Sequence, residues 1–325
     1  MKALITGAAG FIGSTLAERL IRDGVEVVGI DSLTDYYDPR LKRRNIAGLH
    51  GRAEIIEADL NEVDLAALLS DTDVVFHLAG QPGVRKSWGR DFDTYVAENI
   101  QATQRLLEAA HLAPSRPRIV FASSSSVYGD AESFPTDETA TPRPRSPYGV
   151  TKLAAEHLCR LYSANHGLET VSLRFFTVYG PRQRPDMAFT RFLRAADQGE
   201  PLTIYGSGEQ VRDFTFVGDI VDAVARAATA DVPPGTVLNI SGGGSHSVND
   251  VLNVIADLVG GPLDVIRTAV ALGDVSRTGA DISAARELLA WAPATGLEQG
   301  LRAQLEWVRD EARSSTQAVS TDASV

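Results

Sequence analysis

Short apolar runs rich in β-branched residues alternate with longer amphipathic stretches over the first half of the chain. The apolar runs are KALIT, VEVVGI, AEIIEA, DVVFHLA, RIVFAS and TVSLRFF. Helical spacing of apolar residues marks several stretches between them, namely STLAERLIRD, DLAALL, VAENIQATQRLLEAAH and YGVTKLAAEHLCRLYSANH. Strands that alternate with helices indicate βαβ units, and near-continuous apolar strands indicate a sheet covered on both faces. The pattern therefore predicts an α/β fold built on a parallel sheet.

The alternation ends near residue 175, where proline, glycine and arginine crowd positions 180–186. A strand–helix pattern resumes in FTFVGDIVDAVARAAT and VLNISGG. We therefore predict a large first domain that takes back a later segment, a smaller and less regular second domain, and a polar, mobile C-terminal tail. The predicted boundaries are residues 1–176 with 214–240 for the first domain, 177–213 with 241–313 for the second, and 314–325 for the tail.

The composition is that of an ordinary globular protein. Of 325 residues, 44% are hydrophobic and 22% are charged, and the formal net charge is −11. This acidic balance argues against non-specific nucleic-acid binding, which needs a broad basic face. No run of 18 apolar residues predicts a membrane span, and the N-terminus does not resemble a signal peptide. The one cysteine, Cys159, cannot form an internal disulfide, which fits a reducing compartment. Together these features lead us to expect a cytoplasmic protein without a nucleic-acid or membrane partner.

The first predicted strand leads into a glycine-rich turn and then a helix, as in dinucleotide-binding units. Gly7 would allow the tight turn, Gly10 the close approach of a pyrophosphate, and Gly13 the close packing of helix on strand. The spacing is GxxGxxG rather than GxGxxG, and such a turn can also simply connect two elements. Asp31 ends the next strand, where a carboxylate would bond ribose hydroxyls and repel a 2′-phosphate. Asp31 therefore favours NAD over NADP as the cofactor. The alternative is that Asp31 only caps a helix or shapes a turn.

Tyr148 and Lys152 lie four residues apart at the start of a predicted helix, so they share one helix face. A free tyrosine titrates near pH ~10, too high for a base at neutral pH. A neighbouring ammonium and the positive nicotinamide of the cofactor would favour the phenolate. That phenolate could take a proton from a sugar hydroxyl while hydride leaves the same carbon. The alternative is an ordinary exposed pair, since this spacing is common by chance.

Four consecutive serines, residues 123–126, end the run RIVFA at the expected ligand edge of the sheet. A hydroxyl there could donate to the substrate oxygen and pass on its proton, whereas strand-end hydroxyls also commonly bond the loop backbone. At most one or two of the four would be catalytic. Ser124 is the first candidate and Ser125 the second. Asp59 in EADL and the HLAG run at 77–80 end neighbouring strands at the same edge.

Taken in order, GxxGFIG, HLAG, SSSSVYG, YxxxK and RFFTVYGP resemble the extended short-chain dehydrogenase/reductase family, and more narrowly its nucleotide-sugar 4-epimerases. The resemblance covers roughly residues 1–313. It implies a Rossmann-like, doubly wound NAD domain and a smaller mixed α/β C-terminal domain that holds the nucleotide sugar. Tyr148 would be the base, Lys152 would contact the nicotinamide ribose, and Ser124 would be the hydroxyl partner. The implied cofactor contacts, with no metal, are Gly7, Gly10, Phe11, Ile12, Gly13, Asp31, Asp59, Leu60, Leu78, Ala79, Gly80, Asn99, Tyr148 and Lys152.

The residues beside the serines separate the branches of this family. The 4,6-dehydratases carry an Asp–Glu pair at this place, and the UDP-glucuronate decarboxylases carry a glutamate just before VYG. Here Ser125 and Ser126 precede Val127. The resemblance therefore implies oxidation at C4 and reduction on the other face, without the machinery for loss of water or CO2.

Two features resemble the UDP-glucuronate 4-epimerases in particular. Thr177 stands where UDP-galactose 4-epimerases usually have asparagine, with Arg184 seven residues later, and TDYYDPRLKRRNI at 34–46 is a long insertion. In that subfamily the threonine and the arginine address the C6 carboxylate, which a guanidinium can hold through two parallel bonds. The alternative is that Arg184 pairs with Asp186 or with a neighbouring domain.

The diphosphate and the uridine need further contacts. Arg212 matches the family's arginine on the phosphates, and Asp274 matches an acid that meets the uridine ribose. Arg277 is a further candidate for the phosphates, and Arg85 for the border of the sugar. Arg182 fits the substrate and the protein surface equally well.

The resemblance thus implies reversible, NAD-dependent 4-epimerisation of UDP-glucuronate to UDP-galacturonate through a transient 4-keto sugar. The alternatives are a UDP-glucose/UDP-galactose 4-epimerase and a non-catalytic nucleotide-sensing protein, although such proteins typically lose the tyrosine or the lysine. Members of the family often dimerise through two helices of each subunit. The corresponding predicted helices carry Leu106, Leu107, Leu153 and Leu158, so we expect a homodimer unless these leucines face the sheet.

Overall fold

The computed structural model of the chain describes residues 1–269 and 277–322, with only the backbone described from residue 314 onward. Its strands, in chain order, are β1 (Lys2–Thr6), β2 (Glu26–Asp31), β3 (Glu54–Glu57), β4 (Val74–His77), β5 (Arg118–Ser124), β6 (Thr170–Phe175), β7 (Val178–Tyr179), β8 (Leu202–Tyr205), β9 (Val211–Asp213), β10 (Thr215–Phe216), β11 (Thr236–Ile240), β12 (Ser245–Ser247) and β13 (Val265–Thr268).

The α-helices have both short and long members. They are α1 (Phe11–Arg22), α2 (Pro39–Ala47), α3 (Leu65–Leu69), α4 (Phe92–Tyr95), α5 (Ala102–Leu112), α6 (Pro147–His166), α7 (Ala188–Gln198), α8 (Val217–Ala227), α9 (Val248–Val259), α10 (Ser283–Leu289) and α11 (Leu297–Asp322). A π-helical segment, Val96–Gln101, joins α4 to α5, and short 3₁₀ turns lie at Arg85–Ser87, Gly89–Asp91 and Ser125–Val127.

Seven strands form one parallel sheet with the spatial order β11–β6–β5–β4–β1–β2–β3. Strand β1 lies inside the sheet, because Lys2 pairs with Glu26 on one side and Ala3 pairs with Val74 on the other. The winding of the chain reverses between β1 and β4, and in open parallel sheets ligands bind outside the carboxyl ends of the strands at such a point. This arrangement confirms the predicted α/β fold with a doubly wound parallel sheet.

Helices cover both faces of the sheet, which explains why the strands are almost continuously apolar. Helices α1 and α8 share one buried cluster with the sheet, and α3, α5 and α6 share another. Leu106 and Leu107 are fully buried in the second cluster, so these two leucines face the sheet. Leu158 packs against that cluster as well and is partly buried.

A third apolar cluster lies among α7, α9 and α11, beside the parallel pair β8–β13. The predicted domain boundaries stay a prediction, although β11 joins the sheet beside β6, as the return of residues 214–240 requires. Helix α11 continues to Asp322, so residues 314–322 of the predicted tail are helical, and residues 323–325 lie outside the described residues. Within the described ranges, no helix is long and apolar enough to cross a membrane.

A buried ion pair fixes the strands below the serine run. The Arg174 guanidinium donates to both carboxylate oxygens of Glu156, at 2.6 and 3.0 Å. The Ser123 hydroxyl donates to the same carboxylate at 2.8 Å, and a third guanidinium nitrogen donates to the Tyr128 hydroxyl at 2.7 Å. The side chains of Arg174 and Glu156 are 4% and 1% exposed. Because both charged groups are shielded from water, removing one of them leaves the other as an unpaired charge in the protein interior.

We therefore expect Glu156→Gln to destabilise the fold by roughly 3–5 kcal/mol, the usual effect of breaking a buried pair on one side. Denaturant unfolding followed by circular dichroism measures this change. The matched control is Glu298→Gln, which removes the partner of Arg302 from a pair whose side chains are 67% and 57% exposed. That control should change stability by less than about 1 kcal/mol. Equal, small effects of both substitutions would contradict the structural role of the buried pair.

Candidate active site

A cleft of about 440 Å³ opens at the carboxyl ends of the central strands. It is bordered by the turn after β1, the segment after β4, the serine run after β5, the start of α6 and the loop after β6. Most of the predicted site residues meet in it. Those that line it are Gly7, Gly10, Phe11, Ile12, Gly13, Asp31, Leu60, Leu78, Ala79, Gly80, Ser124, Ser125, Tyr148, Lys152, Thr177 and Arg184.

The glycine turn after β1 has the shape that a pyrophosphate site needs. Gly7 has φ +72°, a conformation that favours glycine, and a Cβ there would lie 2.8 Å from the backbone nitrogen of Ala79. A Cβ on Gly13 would lie 2.1 Å from the carbonyl oxygen of Gly7, so only glycine lets α1 approach the turn this closely. The N-terminus of α1, with its partial positive charge, therefore lines the cleft directly behind the turn.

Asp31 both shapes the turn and lines the cleft. Its carboxylate accepts from the backbone nitrogens of Ala9 at 3.0 Å and Leu33 at 2.8 Å. The Lys42 ammonium lies 3.7 Å from the same carboxylate and donates to the Thr34 hydroxyl at 3.1 Å. The Asp31 carboxylate therefore both stabilises the turn through backbone hydrogen bonds and lines the cleft, where it could bond a ribose.

Helix α6 presents Tyr148 and Lys152 to the cleft. The Ser146 side chain caps its N-terminus by accepting from the Gly149 nitrogen at 3.1 Å, and Pro147 occupies the first turn. Lys152 donates to the carbonyl oxygen of Ala122 at 3.0 Å. Burial lowers the pKa of Lys152 to about 8, so the ammonium is still the main form at neutral pH.

Different parts of its environment shift the pKa of the Tyr148 phenol in opposite directions. Burial raises its pKa above the ordinary value, while a hydrogen bond with Ser124 and the charge of Arg184 lower it. We expected the Lys152 ammonium to favour the phenolate, but in this structure Ser124 and Arg184 are the groups that lower the pKa of the phenol. Because burial dominates, the chain by itself holds Tyr148 protonated at neutral pH.

Ser124 is better placed than Ser125 to act on a bound hydroxyl. Its oxygen accepts from the Ser126 backbone nitrogen at 3.2 Å, and its side chain lowers the pKa of the Tyr148 phenol. All four serines border the cleft, and the Ser123 hydroxyl is already engaged, since it donates to the buried Glu156. The assignment of a catalytic hydroxyl to Ser124 or Ser125 stays a prediction.

The loop after β6 carries Thr177 and Arg184 into the same cleft. Gln183 is buried and anchors this loop, because it accepts from the Gln304 side chain at 2.9 Å and donates to the Val178 carbonyl at 2.9 Å. On the other side, Arg182 pairs with Glu18 of α1 at 2.5 Å. Arg182 is therefore directed at helix α1, and Arg184 directly follows two residues whose side chains are fixed by partners elsewhere in the fold.

Arg184 combines both arrangements that the sequence left open. It lines the cleft, and its Nε and Nη2 atoms each lie 3.0 Å from an oxygen of the Asp186 carboxylate. The Tyr36 ring lies 5.7 Å from the guanidinium carbon, measured to the ring centroid. The Lys86 ammonium lies 4.6 Å from the centroid of that ring.

Two predicted cofactor residues are absent from the cleft lining in the part of the chain that the structure describes. Asp59 accepts from the backbone nitrogen of Asn61 at 2.7 Å. Asn99 lies in the π-helical segment, where it accepts from the Gln81 nitrogen at 2.8 Å and donates to the Thr151 hydroxyl at 3.0 Å. Asn99 therefore ties the segment after β4 to α6, and π-helical turns of this kind often occur at functional sites.

The further arginines predicted for the diphosphate, Arg212 and Arg277, and for the border of the sugar, Arg85, also lie outside the described lining. Arg85 stacks on the Tyr205 ring at 4.1 Å, and Arg277 stacks on the Phe134 ring at 5.0 Å. Arg212 donates to the carbonyl oxygen of Val211 at 2.9 Å. Asp274 lies outside the described residues. The roles of these four residues in substrate binding stay predictions.

Sequence reasoning missed several residues that line the cleft. They include Tyr36, Tyr37, Lys42, Gln81, Phe175, Phe176 and Met187. The first three belong to the 34–46 segment, for which the sequence indicates an insertion but no role for the individual side chains. Its aromatic pair followed by a basic helix was the available signal.

Comparison with known proteins extends these observations. The model of the NAD dependent epimerase/dehydratase family matches residues 3–241. A Bacillus subtilis protein named as an uncharacterized UDP-glucose epimerase, YtcB, is 46% identical over 311 residues, 95% of this chain and 98% of that protein.

Two solved structures are similar over nearly the whole chain. The UDP-glucuronic acid 4-epimerase of Bacillus cereus, in complex with UDP-glucuronic acid and NAD, has a TM-score of 0.91 and 42% identity, covering 95% of this chain and 99% of that one. MoeE5, solved with NAD and either UDP-glucuronic acid or UDP-glucose, has a TM-score of 0.87 and 44% identity, covering 96% and 100%. The matched family model, the sheet and the residues assembled in the cleft lead to one conclusion: the chain belongs to the NAD dependent epimerase/dehydratase family.

Proposed function

We propose that the chain is an NAD-dependent UDP-glucuronate 4-epimerase that interconverts UDP-glucuronate and UDP-galacturonate. The observation that carries the proposal is that Arg184 and Thr177 line the same cleft as Tyr148, Lys152 and Ser124. An acid–base group for a sugar hydroxyl and a cation for a sugar carboxylate are therefore available to one bound molecule. The Bacillus cereus enzyme, which is similar over 95% of the chain, is a UDP-glucuronic acid 4-epimerase.

The glycine turn, the N-terminus of α1 and Asp31 fit the pyrophosphate and ribose of NAD. Only glycine fits at Gly13, and the Asp31 carboxylate faces the cleft where a 2′-phosphate would be repelled. When bound, oxidised NAD supplies the hydride acceptor and a positive charge beside the phenol. Lys152, which donates to the Ala122 carbonyl, would contact the nicotinamide ribose.

Tyr148 would accept the proton of the sugar C4 hydroxyl while C4 gives its hydride to bound NAD. It would return that proton to the C4 oxygen when the hydride comes back to the opposite face of the carbon. The chain alone favours the protonated phenol, so the positive charge of bound oxidised NAD would have to add to the effects of Ser124 and Arg184, which lower the pKa of Tyr148 toward the phenolate that accepts this proton. Ser124 lowers the pKa of the phenol and lines the same cleft, and its hydroxyl would relay the proton between the substrate oxygen and Tyr148. The segment after β4, held by Asn99, closes the same side of the cleft.

Arg184 and Thr177 hold the C6 carboxylate of the sugar. This contact has two consequences, recognition of the sugar and protection of the intermediate. Protection is needed because a 4-keto uronic acid is a β-keto acid and readily loses CO2. The pair recognises the acid, and it also holds the carboxylate in an orientation that is stereoelectronically poor for decarboxylation. Neither Ser125 nor Ser126 provides the acid residues that the dehydratases and decarboxylases carry there.

A UDP-glucose/UDP-galactose 4-epimerase is the second candidate, and the name of the Bacillus subtilis relative favours it. The structure offers one observation in its support, since Asp186 already neutralises the charge of Arg184. A neutral C6 hydroxymethyl group would therefore contact an ion pair without net charge, which suits it better than an unpaired guanidinium would.

We also propose a cytoplasmic homodimer. The fully buried thiol of Cys159 fits a reducing compartment. Because Leu106 and Leu107 face the sheet, the dimer proposal rests on other side chains of the same two helices. Helices α5 and α6 pack side by side and expose three large apolar side chains, Leu112 at 70%, Leu161 at 54% and Val150 at 47%. Pairing of these helices with their copies would cover those side chains in a four-helix arrangement.

We expect Tyr148→Phe to lower kcat by at least about 100-fold, because general acid–base catalysis usually contributes that much. Thermal unfolding and NAD content should stay close to those of the unchanged protein, since the phenyl ring keeps its packing. The rate of UDP-galacturonate formation measures the effect. Near-normal turnover in this variant would show that Tyr148 is not the base.

We expect Arg184→Leu to weaken UDP-glucuronate binding by about 10- to 100-fold, the range of a charge-assisted hydrogen bond. The loss is amplified because Asp186 would then face the substrate carboxylate without its partner. Binding of UDP-glucose should change far less, and titration calorimetry on the NAD-loaded protein compares the two. Equal losses for both sugars would contradict the carboxylate contact.

We expect Leu161→Asp to dissociate the dimer, because it places a charge on the apolar surface of α6. Light scattering after size-exclusion chromatography measures the mass of the 34.8-kDa chain directly. The control Ile266→Asp changes a residue of similar exposure, 48%, on strand β13. A monomeric unchanged protein, or equal effects of both substitutions, would refute the helix-mediated dimer.

A further inference from the structure

The Arg184 guanidinium is already engaged by an acid of its own chain. Nε and Nη2 each lie 3.0 Å from a different oxygen of Asp186, which is a bidentate contact along one edge of the guanidinium. The Arg184 side chain is 18% exposed and that of Asp186 is 40% exposed. The pair therefore lies at the border between the cleft and solvent, where its Coulomb interaction is only partly screened.

A planar guanidinium has two edges that can hold a carboxylate through two parallel bonds. One edge joins Nε to Nη2, and the other joins Nη2 to Nη1. Because Asp186 takes the first, a carboxylate on the sugar is left with the second. Arg184 would then lie between two acids, with one positive charge for two negative ones.

We propose that Asp186 is a specificity-determining residue that tempers the preference of Arg184 for acidic sugars. The inference rests on the proposed function, since it concerns the same carboxylate site. The carboxylate of a uronic acid is attracted by Arg184 but repelled by Asp186, so its net binding energy is reduced. A sugar with a neutral hydroxymethyl group contacts an ion pair without net charge and is not repelled. Asp186 therefore brings the affinities for acidic and neutral nucleotide sugars closer together and weakens the retention of an acidic product.

The influence of this pair extends to the catalytic phenol. The charge of Arg184 lowers the pKa of Tyr148, so any group that balances Arg184 reduces that effect. The neighbouring Tyr36 responds to both charges: burial is the main cause that raises its pKa, the Asp186 charge raises that pKa further, and the Arg184 charge lowers it. Removing the Asp186 charge should therefore lower the pKa of Tyr148 further, even when the sugar itself carries no acid.

The test compares Asp186→Asn with the unchanged protein. The amide keeps the shape of the carboxylate and one acceptor oxygen for Arg184 but removes its charge. We expect the Kd of UDP-glucuronate to fall by about 3- to 10-fold, which corresponds to a charge interaction of roughly 1 kcal/mol at a partly exposed site. The Kd of UDP-glucose should change by less than about twofold on the same scale. Titration calorimetry on the NAD-loaded protein gives both values without requiring turnover.

The matched control is Asp197→Asn. Asp197 accepts from Nε of Arg309 at 2.6 Å, so this substitution also removes an acid from an arginine pair, but on helices away from the described cleft lining. It should leave both Kd values unchanged. A second readout is the pH profile of UDP-glucose turnover. Its acid limb should move to lower pH in Asp186→Asn, because the phenol deprotonates more readily beside an uncompensated Arg184.

The outcomes separate the two proposals. If the unchanged protein binds UDP-glucose but not UDP-glucuronate, the proposed function fails and the inference fails with it. If UDP-glucuronate binds and is epimerised but Asp186→Asn leaves the ratio of the two Kd values unchanged, the inference alone is overturned. A weaker UDP-glucuronate complex in that variant would also overturn it, since Asp186 would then serve to position Arg184 for the acid.

Discussion

The active site depends on one electrostatic arrangement, a guanidinium held in the same cleft as a buried phenol. Burial alone keeps Tyr148 protonated, and Arg184 and Ser124 act against that effect. The same guanidinium is the only cation that the described loop after β6 brings to the cleft lining. In the function that we propose, recognition of the sugar acid and deprotonation of Tyr148 are therefore coupled through Arg184, and we infer that Asp186 sets how much of the Arg184 charge is available to either.

The rest of the fold keeps these groups in place by satisfying buried polar atoms. Gln183 and Gln304 fix the loop that carries Arg184, and Arg182 ties it to α1 through Glu18. Asn99 joins the segment after β4 to α6, the helix of Tyr148 and Lys152. Below the serines, the buried pair of Arg174 and Glu156 locks β6 to α6. Such networks hold catalytic side chains rigidly because a partly satisfied network in a low-dielectric interior is costly.

The fold and the centre of the site could be predicted from the sequence because their signals are local. Gly7 and Gly13 follow a strand, and Tyr148 and Lys152 share a helix face by spacing alone. Residues whose role depends on tertiary packing were harder to place. Tyr36 and Lys42 reach the cleft only because α2 folds back over the glycine turn, and Arg85 stacks on Tyr205 from a segment distant in sequence. The direction of a side chain such as Arg182 is set by a partner, Glu18, that no spacing rule indicates.

The central claim is that the chain oxidises and reduces one carbon while it restrains the neighbouring acid. UDP-glucuronate labelled with deuterium at C4 tests this most directly, with product identity and label followed by NMR and mass spectrometry. The account predicts UDP-galacturonate that retains deuterium at C4, because hydride leaves and returns to the same carbon, with no release of CO2. A pentose product, loss of the label to solvent, or no conversion of the acid sugar would contradict it.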